Sequence, residues 1–167
     1  MLGFLFRTLT AEPDRGAALF DAITARARRP HWYVEGTVPD TLGGRFAVLA
    51  TLAALTLVRL EKDSEGNEAS VALTERFIEV MESEHRELGV GDPTLGKTVR
   101  KLVGSLARRT DLWRNVGAEA WEHAARESLF RGNVSAAALA HLTAALRAFR
   151  DELERTSVTD LQQGKLA

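Results

Sequence analysis

Between Arg45 and Arg59 the chain runs for thirteen residues, Phe46 to Val58, without a charge, and only Thr51 and Thr56 among them are polar. A segment this apolar has to leave water, because each Å² of apolar surface buried is worth about 25 cal/mol. As a helix it rises about 20 Å, at 1.5 Å per residue. The hydrocarbon core of a bilayer is roughly 30 Å thick, so the run is too short to span and predicts a central helix inside a folded domain. Its frame is legible on both sides. Thr41 is an N-cap candidate, a helix follows over about Leu42 to Lys62, and Gly43 and Gly44 weaken its first turn. The polar residues from Asp63 to Glu68 then form a turn.

Glycine and proline cut the rest into helix-length blocks. A first helix is expected from about Asp14 to Arg29, with Phe20, Ile23 and Ala27 on one face and Pro30 ending it. His31 to Asp40 reads as a loop. A third helix, about Ala69 to Leu88, carries Leu73, Phe77, Val80, Met81 and Leu88 as a stripe, with Gly89 as its left-handed cap. Asp92 and Pro93 read as N-cap and first residue of a fourth helix reaching about Leu112. One face of it holds Leu95, Val99, Leu102, Val103 and Leu106, and another holds Lys97, Arg100, Lys101 and Arg108. A fifth helix is expected over about Ala118 to Phe130. A sixth, capped by Ser135 and ending near Arg155, shows a heptad-like seam of Leu139, Leu142, Leu146, Phe149 and Leu153. No segment alternates with period two. The expectation is an all-α bundle of about six helices around a buried central helix: one domain over 13–156, an N-terminal segment over 1–12 and a disordered tail over 157–167.

Size and balance suit such a domain, with 167 residues, 45% hydrophobic and 27% charged. A net charge of −1 argues against general attraction to DNA or anionic lipid. The chain has no cysteine, which removes disulfides, thiolate metal sites and a cysteine nucleophile. The apolar start, Met1 to Phe6, is shorter than a signal peptide needs. A cytoplasmic location in a bacterium is expected, with the N-terminus left open as a point of membrane contact. Signs of catalysis are few. Glu82 and His85 form a single Glu-x-x-His, where a di-iron bundle needs two such pairs and two further glutamates. His31, His123 and His141 show no catalytic spacing, and Gly89 to Gly91 joins two helices instead of following a strand.

Two surface candidates remain open at this level. The basic face of the fourth helix is either a solvated stripe, a partner of the acids Glu79, Glu82, Glu84 and Glu87, or a contact for an acidic partner. Trp32 and Tyr33, beside Pro30, either close the core or supply a binding anchor.

Motifs sharpen the reading. Trp32-Tyr33 leads into Val38-Pro39-Asp40-Thr41 and then Gly44-Arg45-Phe46, which opens the central helix. Later come His85-Arg86-Glu87-Leu88-Gly89-Val90-Gly91-Asp92 and, on the next helix, Lys97. In these two stretches the chain resembles the ubiquinol–cytochrome c chaperone family, over Pro30 to Trp113. It departs from the family at Leu106-Ala107-Arg108-Arg109, where Phe-Tyr-Gly-Arg is expected, and at His85 and Pro93, where leucine is common.

The resemblance implies a non-catalytic assembly role without cofactor or metal. The client would be newly made cytochrome b of the ubiquinol–cytochrome c reductase (bc) complex, or another membrane protein. The ribosome or a small partner protein would be further contacts, at the inner face of the inner membrane. The partner-binding candidates are Trp32, Tyr33, Asp40, Arg45, Phe46, Arg86, Glu87, Asp92, Lys97, Arg100 and Lys101. An alternative places Asp40 and Arg45 in a structural clasp with Arg86, Glu87 and Asp92. Two other functions compete: a helical adaptor with a different client, and a haem or metal carrier using His85.

Overall fold

The structure, a computed structural model, describes residues 15–166. Helices α1 (Ala17–Ala27), α2 (Leu42–Leu60), α3 (Gly66–Glu87), α4 (Asp92–Arg114), α5 (Trp121–Leu129), α6 (Ala136–Arg155) and α7 (Val158–Gln162) follow in order. Short 3-10 turns at Pro30–Trp32 and Ala118–Ala120 interrupt the connections. No strand occurs among the described residues. The expected N-terminal segment 1–12, with Met1 to Phe6, lies outside them.

The apolar rod is the hub. Helix α2 packs against α1, α3, α4, α5 and α6, and twelve of its residues are buried. It extends beyond the thirteen-residue run on both sides, to nineteen residues with mean hydropathy 1.5. By length and composition alone it is therefore long enough to cross a bilayer, contrary to the estimate from the run. A buried core helix passes the same test, and the five packed neighbours make this one a core helix. Its two threonines cost little inside, because Thr51 Oγ1 donates to Ala47 O (2.7 Å) and Thr56 Oγ1 to Leu52 O (2.9 Å). Thr51 also meets Ser128 Oγ at 2.6 Å, and Trp113 Nε1 donates to the same hydroxyl at 3.2 Å.

Local signals set most of the helix ends. Thr41 Oγ1 accepts from Gly44 N at 3.2 Å and Ser135 Oγ from Ala138 N at 3.2 Å, as N-caps do. Gly89 takes φ +81 after α3. The seam of α6 is buried throughout, from Leu139 to Leu153. A two-pronged ion pair ties α1 to α6: Arg26 Nη1 and Nη2 reach Glu152 Oε2 and Oε1 at 2.7 and 2.8 Å. Arg59, at the end of α2, donates to Leu153 O (3.0 Å) and Thr156 O (3.1 Å), satisfying carbonyls at the end of α6.

Four expectations change. Gly91 is the N-cap of α4, with no side-chain bond, and Asp92 is its first residue, so Asp92 acts through charge near the positive helix end instead of by capping. The fifth helix is split, its first turn being 3-10. Helix α3 starts at Gly66, three residues before Ala69. The disordered tail is replaced by α7, where Ser157 Oγ accepts from Asp160 N (3.1 Å) and Val158 and Leu161 are buried against α1 and α3. Two apolar residues three apart were enough to dock a turn that looks polar on average.

Candidate functional site

The helices do not close on every side. An open groove of about 2100 Å³ runs between the 30–40 loop, the first turns of α2, the end of α3, one face of α4 and the turn after α5. On α4 its lining is Thr98, Lys101, Leu102, Ser105, Arg108, Arg109 and Leu112, mostly recurring every three or four residues, hence one helix face. Fourteen residues of rise make that wall about 21 Å long.

Among the described residues, three of the four large hydrophobic residues left exposed line this groove: Val34 (68%), Leu42 (64%) and Leu88 (63%). Single exposed leucines are common on soluble proteins, whereas several gathered on one concavity mark a binding surface. Leu88 was expected in the core stripe of α3. Leu73, Phe77 and Met81 do belong to it, but the last turn of α3 projects past the core and leaves Leu88 in solvent.

The floor is basic. Arg109 is half-buried, and its guanidinium donates to Ser128 O from Nε (3.1 Å) and Nη2 (2.8 Å), to Ser105 O (3.3 Å) and to Ser105 Oγ. It sits 5.8 Å from the centre of the Phe46 ring. No carboxylate pairs with it among the described residues. Burial first, then the neighbouring charges of Arg108 and Arg131, push its pKa below the ordinary arginine value. Arg108, Arg131 and Lys101 also line the groove and have no ion-pair partner among the described residues. Glu84 and Glu87 lie at the other end, on the last turns of α3.

Of the residues singled out from the sequence, the structure gathers Tyr33, Asp40, Arg45, Phe46, Glu87 and Lys101 along this groove. Arg86, Asp92, Lys97 and Arg100 are exposed but lie outside its lining, so the basic stripe of α4 divides, Lys101 and Arg108 facing in. Trp32 is not a surface anchor. It is 1% exposed and donates from Nε1 to Arg26 O at 2.9 Å, locking the loop onto the end of α1. Tyr33 OH does the same to Ala27 O at 2.8 Å, and burial raises its pKa.

The clasp is not formed. Arg45 Nε donates instead to Asp40 Oδ1 at 2.6 Å, both side chains exposed, and neither pairs with Arg86, Glu87 or Asp92. That bond holds the Asp40 carboxyl below the usual carboxylate range. The motif's glycine has a steric role: a Cβ on Gly44 would fall 1.8 Å from Pro39 O, so only glycine lets the loop cross the start of α2.

Two features escaped the sequence reading. Leu42, Val34 and Arg131 carried no motif, and Arg109 stood out only as a departure from the family pattern. His31 Nδ1 and His141 Nε2 meet at 3.1 Å although 110 positions apart, tying the 30–40 loop to α6. Burial, then His141 and Arg29, lower the pKa of His31. His85 Nδ1 is hydrogen-bonded to Met81 O at 2.8 Å, within its own helix, the ring being half-buried.

Comparison with known proteins agrees with this picture. The family model described as Ubiquinol-cytochrome C chaperone matches residues 35–167. The crystal structure of the Cbp3 homolog from Brucella abortus superposes with a TM-score of 0.78 at 25% identity, covering 100% of this chain and 96% of that one. No curated protein gives a significant match. The family match covers the later part of the 30–40 loop, α2 and every later helix, and the chain belongs to the ubiquinol–cytochrome C chaperone family, chaperones for assembly of the bc complex.

Proposed function

We propose that this chaperone holds newly made cytochrome b, and that the groove is where it does so. The observation carrying the reading is the joining of Val34, Leu42 and Leu88 on one open concavity. Its volume is about 2100 Å³, beyond the roughly 300–1,000 Å³ typical of small-molecule sites. The shape suits a polypeptide segment laid lengthwise, with apolar side chains over the leucines, in the manner of helix-in-groove recognition. Cytochrome b is the membrane-embedded component that a bc-complex chaperone would have to shield, because its spanning helices expose apolar faces until they pack. Holding and release by surface contact need no reacting group.

The protein would act in the bacterial cytoplasm against the inner membrane, where such a client emerges. Contacts with the ribosome or with a small partner protein belong to the same proposal. Deleting the gene and measuring cytochrome b and assembled bc complex in membranes tests it. Both are expected to fall together, with transcript levels unchanged. Normal amounts of both would remove cytochrome b as the client and leave an adaptor for another protein.

A further inference from the structure

The groove is polar along its length as well as apolar across its rim. The tight Gly89 to Gly91 turn sets the last turn of α3 beside the start of α4, so Glu84, Glu87 and Leu88 share one end. At the other end, Arg109 is bonded to Ser128 of α5, and Arg108 beside it on α4 and Arg131 in the turn after α5 line the same groove. Among the described residues no carboxylate pairs with any of the three, and the groove acid Asp40 is held by Arg45. Ser105 and Ser128 take the N–H donors of Arg109, but these neutral acceptors leave its charge free to attract a carboxylate from outside.

Resting on the reading of the groove as the client site, we infer that it takes a helical client segment in one direction only. The segment is apolar along its body and carries carboxylates at its C-terminal end, which lies on Arg108, Arg109 and Arg131. The free carbonyls of that end add negative charge of their own, equivalent to about half an elementary charge. The N-terminal end, with its exposed N–H groups, meets Glu84 and Glu87. A wall of about 21 Å matches a segment of about fourteen residues. A flat lipid surface fits less well, because Arg109 is half-buried within a concavity.

The probes are two fourteen-residue Leu/Ala peptides of equal composition. One carries three glutamates at its C-terminal end and the other carries them at its N-terminal end. Binding to the full-length protein is measured by fluorescence anisotropy at low and high salt. The C-terminal-acid peptide is expected to bind about tenfold more tightly, a preference that shrinks with salt. Arg108→Gln with Arg131→Gln removes two exposed cations that hold no structural bond, so the melting temperature stays while the preference disappears. Leu88→Ser, which removes apolar surface without adding charge, weakens both peptides alike.

Equal binding of the two peptides, a preference that survives the double variant, or Arg108- and Arg131-dependent binding of phosphatidylglycerol vesicles in place of the peptides overturns the inference. Capture of cytochrome b separates the two levels. If Leu88→Asp abolishes capture while peptide order is irrelevant, the groove reading stands and the directional claim fails. If Leu88→Asp leaves capture intact, the groove reading itself fails.

Discussion

Helix α2 is two different helices end to end. From Ala50 to Leu60 every residue is buried except Val58 and Arg59, which are half-buried. From Leu42 to Leu49 an equally apolar stretch leaves Leu42 open and Phe46 and Leu49 half-covered along the groove. Hydropathy does not distinguish the halves. What differs is the surroundings: the later half is buried in the bundle, whereas the first half lines the open groove. The same contrast appears within one loop, where Trp32 is in the core and Val34, two residues on, is in solvent. Apolar residues held open at a place the fold could have closed are the mark of a surface kept for another chain.

Substitutions can break or sharpen that contrast. The largest effect is expected deep in the closed region. Arg26→Ala leaves Glu152 charged and only 11% exposed, and should destabilise by about 3–5 kcal/mol, with Arg26→Ala/Glu152→Leu recovering part of the loss in chemical denaturation. Next, Leu52→Ala, in the sheathed half of α2, should cost about 2–5 kcal/mol through the cavity it opens. Leu42→Ala, ten residues earlier on the same helix, should stay within roughly 0.5 kcal/mol of the parent. Similar losses from both would mean that the first half is not open in solution.

Smaller effects follow at the loop. Gly44→Ala places a methyl group against Pro39 O and should cost more than about 1 kcal/mol, while Gly43→Ala, whose methyl group would meet only Thr41 Oγ1 at an ordinary 4.0 Å, should not. A pH dependence is expected from the histidine pair. Above pH 6.5 His31 is neutral folded or unfolded. Below it the unfolded chain, with the ordinary value of 6.5, is protonated first, because burial, His141, Arg29 and Arg26 hold the folded value down against Glu35. Stability therefore falls as pH drops through 6.5 and levels off once the folded ring is charged. Thermal melts on either side of that pH should show the slope, and His31→Gln should flatten it. Smallest of all is Arg45→Ala: its partner Asp40 is exposed, so the melting temperature should hardly move.

Most of the fold was legible because its determinants are local. Thr41 and Ser135 announce caps, Gly89 announces a left-handed stop, and the spacing of Leu139, Leu142 and Leu146 announces a buried face. The family was legible for a related reason: Gly44 and Gly89 in its motifs are fixed by local backbone geometry, a close approach to Pro39 O and a positive φ. Helices α5 and α6 carried no such motif, and only the family match over residues 35–167 brought them in. The groove was harder to read. Whether Leu88 ends in the core depends on where α3 outruns its neighbours, and whether Arg45 meets Asp40 or Glu87 depends on how a loop and a turn lie in space. Neither leaves a periodic trace. Docking of the last helix through Val158 and Leu161 was hidden for the opposite reason, two apolar residues being too few to form a pattern.

As a client site, and not an unfilled flaw in the core, the open groove must tolerate charge without loss of the fold. The most direct test is Leu42→Asp with Leu88→Asp in one protein, read by its melting temperature and by co-purification of newly made cytochrome b. An unchanged melting temperature with capture reduced at least tenfold is the predicted result. Full capture by that variant, with the fold intact, would contradict the account.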